Sequence, residues 1–320
     1  MFGDPEQAIP KIKFRFEAQT QSSAEATTLL GVDDAQVGVP DVVDGRFFGE
    51  FGGISLRAGE HPLFVDGISL TDPVKVRPSY TLCCVPGRSV LIDHAFLAKG
   101  LTISLLAPTV PLPLGPYQTR PLTFLLEQTS PIAVDLDSVL IRVDFSSLDG
   151  GRPHPHRLTV KLPLQHRRHW TTSPSTYVAL RYTFLDYDRT AQYAMALPPL
   201  VRLDGRSKAV ILATHGAGVE ASAPMWTEAL GERREGLGWI VFATGKTPWG
   251  YDWHGPSAEH AFSARRALPG AVDKLRDTRA DIDGWEVSEA MMLVGHSNGG
   301  QGAMYLLERY PDMFVGAIAA

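Results

Sequence analysis

The pentapeptide Gly295-His296-Ser297-Asn298-Gly299 sets a serine between two glycines, directly after the apolar run Met291-Met292-Leu293-Val294. A serine hydroxyl is a weak nucleophile, and it attacks a carbonyl only with a base at hand and a backbone that presents it. A strand turning sharply into a helix presents it well, and glycines on either side let strand and helix approach closely. Because the chain has 30 glycines, the five-residue pattern alone could arise by chance. Its place between an apolar strand and an amphipathic segment is what marks Ser297 as a candidate nucleophile for acyl transfer.

Acyl transfer also needs donors for the oxyanion that forms on the attacked carbonyl. Residues 209–213 are apolar and run into Thr214-His215-Gly216-Ala217-Gly218, a small-residue loop that leads towards a helix. The backbone N–H of Ala217, with that of Asn298 just after the serine, makes a candidate donor pair. An ordinary glycine-rich strand-to-helix turn is the competing reading. The rings of His215 and His296 belong to these loops and orient them, and His296, immediately before the serine, does not reach back as its base.

A second loop, Thr247-Pro248-Trp249-Gly250-Tyr251-Asp252-Trp253-His254-Gly255-Pro256, leaves a strand at its carboxyl end, where ligands of open α/β sheets bind. His215, Trp249, Tyr251, Asp252, Trp253 and His254 are therefore candidate pocket-lining residues, with structural packing as the alternative. Asp252 and His254 precede Ser297, which argues against a triad made with them, because acid and base follow the serine in a strand-turn-helix arrangement of this kind. Residues 298–320 hold no histidine, and their only acids are Glu308 and Asp312, the latter in a turn-forming Tyr310-Pro311-Asp312. The expected base and acid thus lie outside these 320 residues. Two further strand-helix units would take about 60 residues. The expectation is a fragment, or a sheet edge covered by another segment.

These motifs need elements to hold them. Residues 209–213, 239–243, 291–294 and 314–320 are continuous apolar runs, as in parallel strands buried on both faces. Residues 220–230 and 257–281 read as crossover helices, the second interrupted near Pro269-Gly270, with Ser257 as its N-cap and Glu259 in its first turn. Ala303, Leu306, Leu307 and Tyr310 give the segment after Ser297 one apolar face, which Pro311 ends. Residues 177–185 and 191–197 flank the acidic turn Asp186-Tyr187-Asp188-Arg189-Thr190 as a hairpin. Upstream, short strands such as 89–92, 101–106, 139–145 and 158–162 alternate with glycine and proline, which predicts an all-β, sandwich-like module. The predicted organisation is a β-rich accessory domain over 1–170, its first 45 residues partly irregular around a strand at 12–16, and an α/β domain with a mostly parallel sheet over 171–320.

Composition narrows the function classes. A net charge of −5 gives no electrostatic reason to bind nucleic acid or anionic membranes. No apolar run reaches the roughly 18 residues that span a bilayer, and residues 1–6 do not open a signal peptide, so a cytoplasmic location is the default reading. Cys83 and Cys84 are adjacent and suggest neither a disulfide framework nor a metal cage. His154, His156, His166 and His169 lie in two arginine-rich stretches that read as a solvated basic edge rather than a metal site. Neither a metal nor another cofactor is predicted, and the partner is a small-molecule or peptide substrate.

Taken together, His215-Gly216-Ala217-Gly218-Val219-Glu220-Ala221, the loop at 247–256 and Gly295-His296-Ser297-Asn298-Gly299-Gly300-Gln301-Gly302 resemble the prolyl-oligopeptidase-like branch of the α/β-hydrolases, especially its large fungal members. The resemblance spans about residues 177–320 and implies a serine peptidase or esterase with Ser297 as nucleophile. The chain departs from that pattern in lacking the later acid and histidine. A non-catalytic ligand-binding or scaffold protein with a vestigial hydrolase half, and an inactive truncated product, are the competing readings.

Overall fold

The computed structural model describes residues 29–71, 100–107, 109–149, 151–167, 178–200, 208–231, 234, 236–276 and 285–320. The strands anticipated at 12–16 and 89–92, the Cys83-Cys84 pair and His169 lie outside these residues. The strands, in chain order, are β1 (Leu30–Gly38), β2 (Val42–Val43), β3 (Arg46–Phe47), β4 (Phe51–Ala58), β5 (Leu63–Thr71), β6 (Leu101–Leu105), β7 (Leu112–Leu114), β8 (Thr119–Gln128), β9 (Ser138–Asp149), β10 (Arg152–Pro163), β11 (His166–Arg167), β12 (Leu180–Leu185), β13 (Ala191–Leu197), β14 (Val210–Thr214), β15 (Ile240–Phe242), β16 (Met291–Gly295) and β17 (Phe314–Ala319). The α-helices placed within the described residues are α1 (Pro224–Gly231), α2 (Pro256–Asp273) and α3 (Asn298–Arg309).

The chain divides into two compact units. One, built from Phe16–Gly38 and Ile54–Gln165, contains two four-stranded sheets ordered β1-β4-β8-β6 and β10-β9-β5-β7. In the second sheet, β10 pairs antiparallel with β9, and β9 with β5, over long registers. The carboxyl half of β10 alternates buried with half-buried residues, the period-two signature of a strand with one face on a core.

The other unit, in its described residues, is built from Val39–Gly53 and the chain from His166 onward. The sequence reading groups all of residues 1–170 together, whereas Val39–Gly53 joins the α/β unit. Val43 and Phe48 have no exposed surface and share a core with Tyr182 and Trp239, with Phe48 edge-on to Tyr182 at 5.8 Å. Gly49 bridges to Thr183 of β12, where a Cβ at position 49 would collide with the Thr183 backbone. A hydrophobic anchor so far away in sequence leaves no local signature.

This unit is organised by a six-stranded mixed sheet in the order β12-β13-β15-β14-β16-β17. The hairpin β12-β13 is antiparallel and joins β15 antiparallel. β15, β14, β16 and β17 run parallel to one another. Alternation along β14 splits the core in two: Val210 and Leu212 face α2 and α3, while Ile211 and Ala213 face Trp226 of α1. All five β14 residues are buried, as a central parallel strand covered on both sides requires. β17 lies last in the sheet order, with Val315 and Ile318 more than half exposed.

Two helix boundaries also differ from the sequence reading. α1 begins at Pro224 rather than near residue 220, and α2 runs unbroken through Pro269 to Asp273. Proline removes one N–H but the helix resumes beyond it, with Lys274 N–H bonded to the Gly270 carbonyl at 3.3 Å. Its N-cap position is Gly255, and Ser257 lies inside the first turn, where its hydroxyl accepts the N–H of Lys246 at 3.1 Å. No helix among the described residues is long and apolar enough to cross a membrane.

Candidate active site

The strands β14 and β16 are neighbours, yet their helices depart to opposite faces: α1 lies on one side of the sheet and α3 on the other. Where adjacent parallel strands send their connections apart, a crevice opens at their carboxyl ends. Residues 215–218 and 296–299 occupy that position. A Cβ built on Gly216 would come within 3.3 Å of Ser297 Cβ and 3.7 Å of its hydroxyl oxygen, so the two loops face each other directly.

Ser297 has φ 55° and ψ −122°, left-handed backbone that an L-residue adopts only under constraint. The constraint is main chain packed on main chain. A Cβ on Gly295 would strike the Gly299 carbonyl, and one on Gly299 would strike the carbonyls of Thr214 and His215. Thr214 Oγ1 donates to the Gly299 carbonyl at 2.8 Å, Ser297 N–H to Ala320 at 2.6 Å, and Ala320 N–H to Gly295 at 2.9 Å. Although Ser297 takes the N-cap position of α3, its hydroxyl makes no capping bond, and the side chain is exposed.

The N–H groups of Ala217 and Asn298 are uncommitted to backbone acceptors among the described residues. Ala217 is exposed and Asn298 half-buried, the latter in the first turn of α3, where the helix dipole favours negative charge. The Asn298 side chain donates to the Trp249 carbonyl at 3.2 Å, and Gly218 N–H donates to the Pro248 carbonyl at 2.9 Å. The aromatic loop is thereby tied to both sides of the crevice.

That loop contains a short 3₁₀ turn, Gly250–Trp253, in which Gly250, Tyr251, Asp252 and Trp253 all have positive φ, between 44° and 66°. Trp249, Tyr251, Asp252 and His254 are exposed, and the His254 ring stacks on Tyr305 of α3 at 3.8 Å. Trp253 and His215 have no exposed surface. The Trp253 indole N–H donates to the His215 carbonyl at 3.2 Å, and the two rings meet edge to face at 4.9 Å. His215 places Nδ1 at 2.8 Å from the Gly216 carbonyl and Nε2 at 2.8 Å from that of Thr244. Burial dominates its titration and holds its pKa below the ordinary value, against the pull of those two carbonyls.

A charged network centred on the buried Asp186 is absent from the sequence reading. Asp186 Oδ2 accepts from Lys246 Nζ at 2.8 Å and from His260 Nδ1 at 3.1 Å, while Lys246 also reaches Asp188 at 2.7 Å. Burial pushes the Asp186 carboxyl up, but the hydrogen bonds and charge of His260 and Lys246 outweigh it and hold the pKa below the ordinary value. The acidic hairpin turn was visible in sequence, but its partners lie 60 and 74 positions away.

No histidine is hydrogen-bonded to Ser297 among the described residues. In the β-rich unit, His156 Nε2 lies 2.9 Å from Ser147 Oγ and its ring stacks on Phe145. No group of three potential metal ligands occurs among the described residues.

No family model matches the chain. An uncharacterized secreted protein of Arthroderma benhamiae is 33% identical over 142 residues, 42% of this chain. The chain spans only 15% of the length of that relative. Among solved structures, a thermostable esterase aligns at 14% identity and TM-score 0.27, covering 83% of this chain and 72% of the esterase. Oligopeptidase B from Trypanosoma brucei aligns at 14% identity and TM-score 0.29 over 91% of this chain and 35% of its own. A prolyl endopeptidase gives 13% identity and TM-score 0.30 over 68% of this chain and 37% of its own.

Proposed function

We propose that the chain carries the nucleophile half of an α/β-hydrolase that cleaves ester or amide bonds through an acyl-enzyme on Ser297. One observation carries the reading: an exposed serine with an unused hydroxyl, held at φ 55° by interlocked glycine backbone at the carboxyl end of a parallel strand. Strained backbone of this kind persists only where the surroundings enforce it, and it concentrates at sites that do chemistry.

In the proposed reaction the Ser297 hydroxyl adds to the substrate carbonyl as a base removes its proton. The carbonyl oxygen gains negative charge and is held by the N–H groups of Ala217 and Asn298. Collapse of that intermediate expels the alcohol or amine, which takes up a proton, and water then releases the acyl group from Ser297 by the reverse sequence. Trp249, Tyr251, Asp252 and His254, exposed in the loop tied to Asn298 and Gly218, are assigned as the surface that receives a small-molecule or peptide substrate. Among the described residues none is assigned as the general base or its acid.

Hydrolysis of a short p-nitrophenyl ester by the full-length gene product tests the proposal. Ser297→Ala should lower turnover by about a thousandfold or more while the protein remains folded. Turnover in the variant equal to that of the parent would refute the role given to Ser297. Stoichiometric ligand binding with no turnover in either protein would favour a binding protein.

A further inference from the structure

Resting on the reading of Ser297 as nucleophile, we infer that Trp253 is a positioning residue of this site, holding the donor loop at 215–218 in register with Ser297 through its indole N–H. The sequence offers three aromatic rings in five residues, and only this one turns inward: Trp253 is fully buried while Trp249 and Tyr251 are exposed.

Its contacts join the three pieces that an acyl-transfer site must keep aligned. The indole N–H donates to the His215 carbonyl at 3.2 Å. A peptide unit is planar, so fixing that carbonyl fixes the plane that contains the Gly216 N–H, and the Ala217 N–H follows one unit later. The same carbonyl lies against Gly299, where a Cβ would collide with it. On its other side the Trp253 ring is pressed to Gly302 of α3, leaving no room for any side chain there. One side chain therefore gauges the distance between the donor loop and the helix that starts beside Ser297.

The backbone of the turn fits this role. Tyr251 and Asp252 are exposed, non-glycine residues at φ 44° and 51°, a region that favours glycine. The turn carries Trp253 inward at φ 60° and so brings the N–H to the His215 carbonyl. Buried tryptophan ordinarily finds a partner for its N–H. A second buried tryptophan supplies a contrast within the same unit: Trp226, on the opposite face of the sheet, has an indole N–H with no acceptor among the described residues.

Replacing the indole by benzothiophene, with β-(3-benzothienyl)alanine at position 253 of the full-length gene product, removes the N–H and keeps the ring. Trp253→Phe is the simpler companion, and the benzothienyl residue at position 226 is the matched control. The expected result is a fall of about tenfold in kcat for a p-nitrophenyl ester, KM within about twofold, and a thermal midpoint lowered by only a few degrees with the protein fully folded at the assay temperature, a kcat-specific loss smaller than that of deleting an oxyanion donor outright. The control should leave kcat and KM unchanged. Unaltered kcat in the benzothienyl-253 protein would overturn the inference and leave Ser297 as nucleophile. So would a fall matched by an equal loss of folded protein, or an equal fall in the control. If the parent shows no Ser297-dependent turnover, both readings fall together.

Discussion

Two turns at the carboxyl edge of the sheet hold left-handed backbone, and they hold it in opposite ways. At residues 295–299 a single residue, Ser297, is left-handed, and the glycines around it are packed so closely on the carbonyls of Thr214, His215 and Gly299 that no Cβ fits. At Gly250–Trp253 four successive residues are left-handed, three of them not glycine, and the turn is fastened by one buried side chain. In the first, main chain supports main chain, and in the second an indole does. The difference predicts where each turn tolerates change: the serine turn at its hydroxyl but nowhere in its glycines, the aromatic turn at its exposed rings but not at its anchor.

The largest effect should come from crowding the serine turn. Gly299→Ala drives a methyl into the Thr214 carbonyl, whose strand β14 is buried throughout and cannot retreat. A loss of about 3 kcal/mol or more is expected in urea unfolding. A change below about 0.5 kcal/mol would mean that the interlock is slack. Ser297→Gly should act in the other direction, raising stability by about 1 kcal/mol because glycine takes positive φ without strain, while ending ester hydrolysis. A destabilised glycine variant would contradict the strain assigned to Ser297.

A smaller gain is expected at the aromatic turn. Asp252 is exposed and left-handed, so Asp252→Gly should raise the thermal midpoint by the equivalent of about 0.5 to 1 kcal/mol. Equal gains from Ser297→Gly and Asp252→Gly, with activity retained in both, would erase the contrast between the turns. The smallest effect is a pH dependence at His215, which touches both. Its folded pKa is held below the 6.5 of a free imidazole, chiefly by burial. The unfolded chain therefore binds the proton more readily, and the stability that this histidine contributes is present above pH 6.5 and lost as the pH falls through its depressed folded pKa. His215→Gln should flatten that part of the stability profile.

The frame of the α/β unit was readable because its signals are local. Apolar runs at 209–213, 239–243 and 291–294 coincide with strands, the hairpin falls at β12 and β13, and the helix after Ser297 ends before Pro311. The glycines at 295 and 299 announced a tight turn, since close backbone approach leaves few other residue types available. What stayed hidden depends on partners distant in the chain. Nothing in Trp249-Gly250-Tyr251-Asp252-Trp253 tells which ring turns inward, because that is decided by the His215 carbonyl and Gly302. Lys246 carries no sign of its partner Asp186, nor Phe48 of its place beside Tyr182. Pro269 read as an interruption of the helix, yet packing of Leu268, Ala271 and Val272 into the core carries α2 past it unbroken.

The most direct test of Ser297 as an acyl-transfer nucleophile is the mass of its own peptide after the full-length gene product is treated with a fluorophosphonate. Nucleophilic attack by the hydroxyl on phosphorus, with loss of fluoride, predicts a one-to-one adduct on the peptide containing Gly295-His296-Ser297-Asn298-Gly299, blocked by prior heat unfolding. A folded protein with that peptide unmodified, or an adduct that persists in Ser297→Ala, would contradict the account.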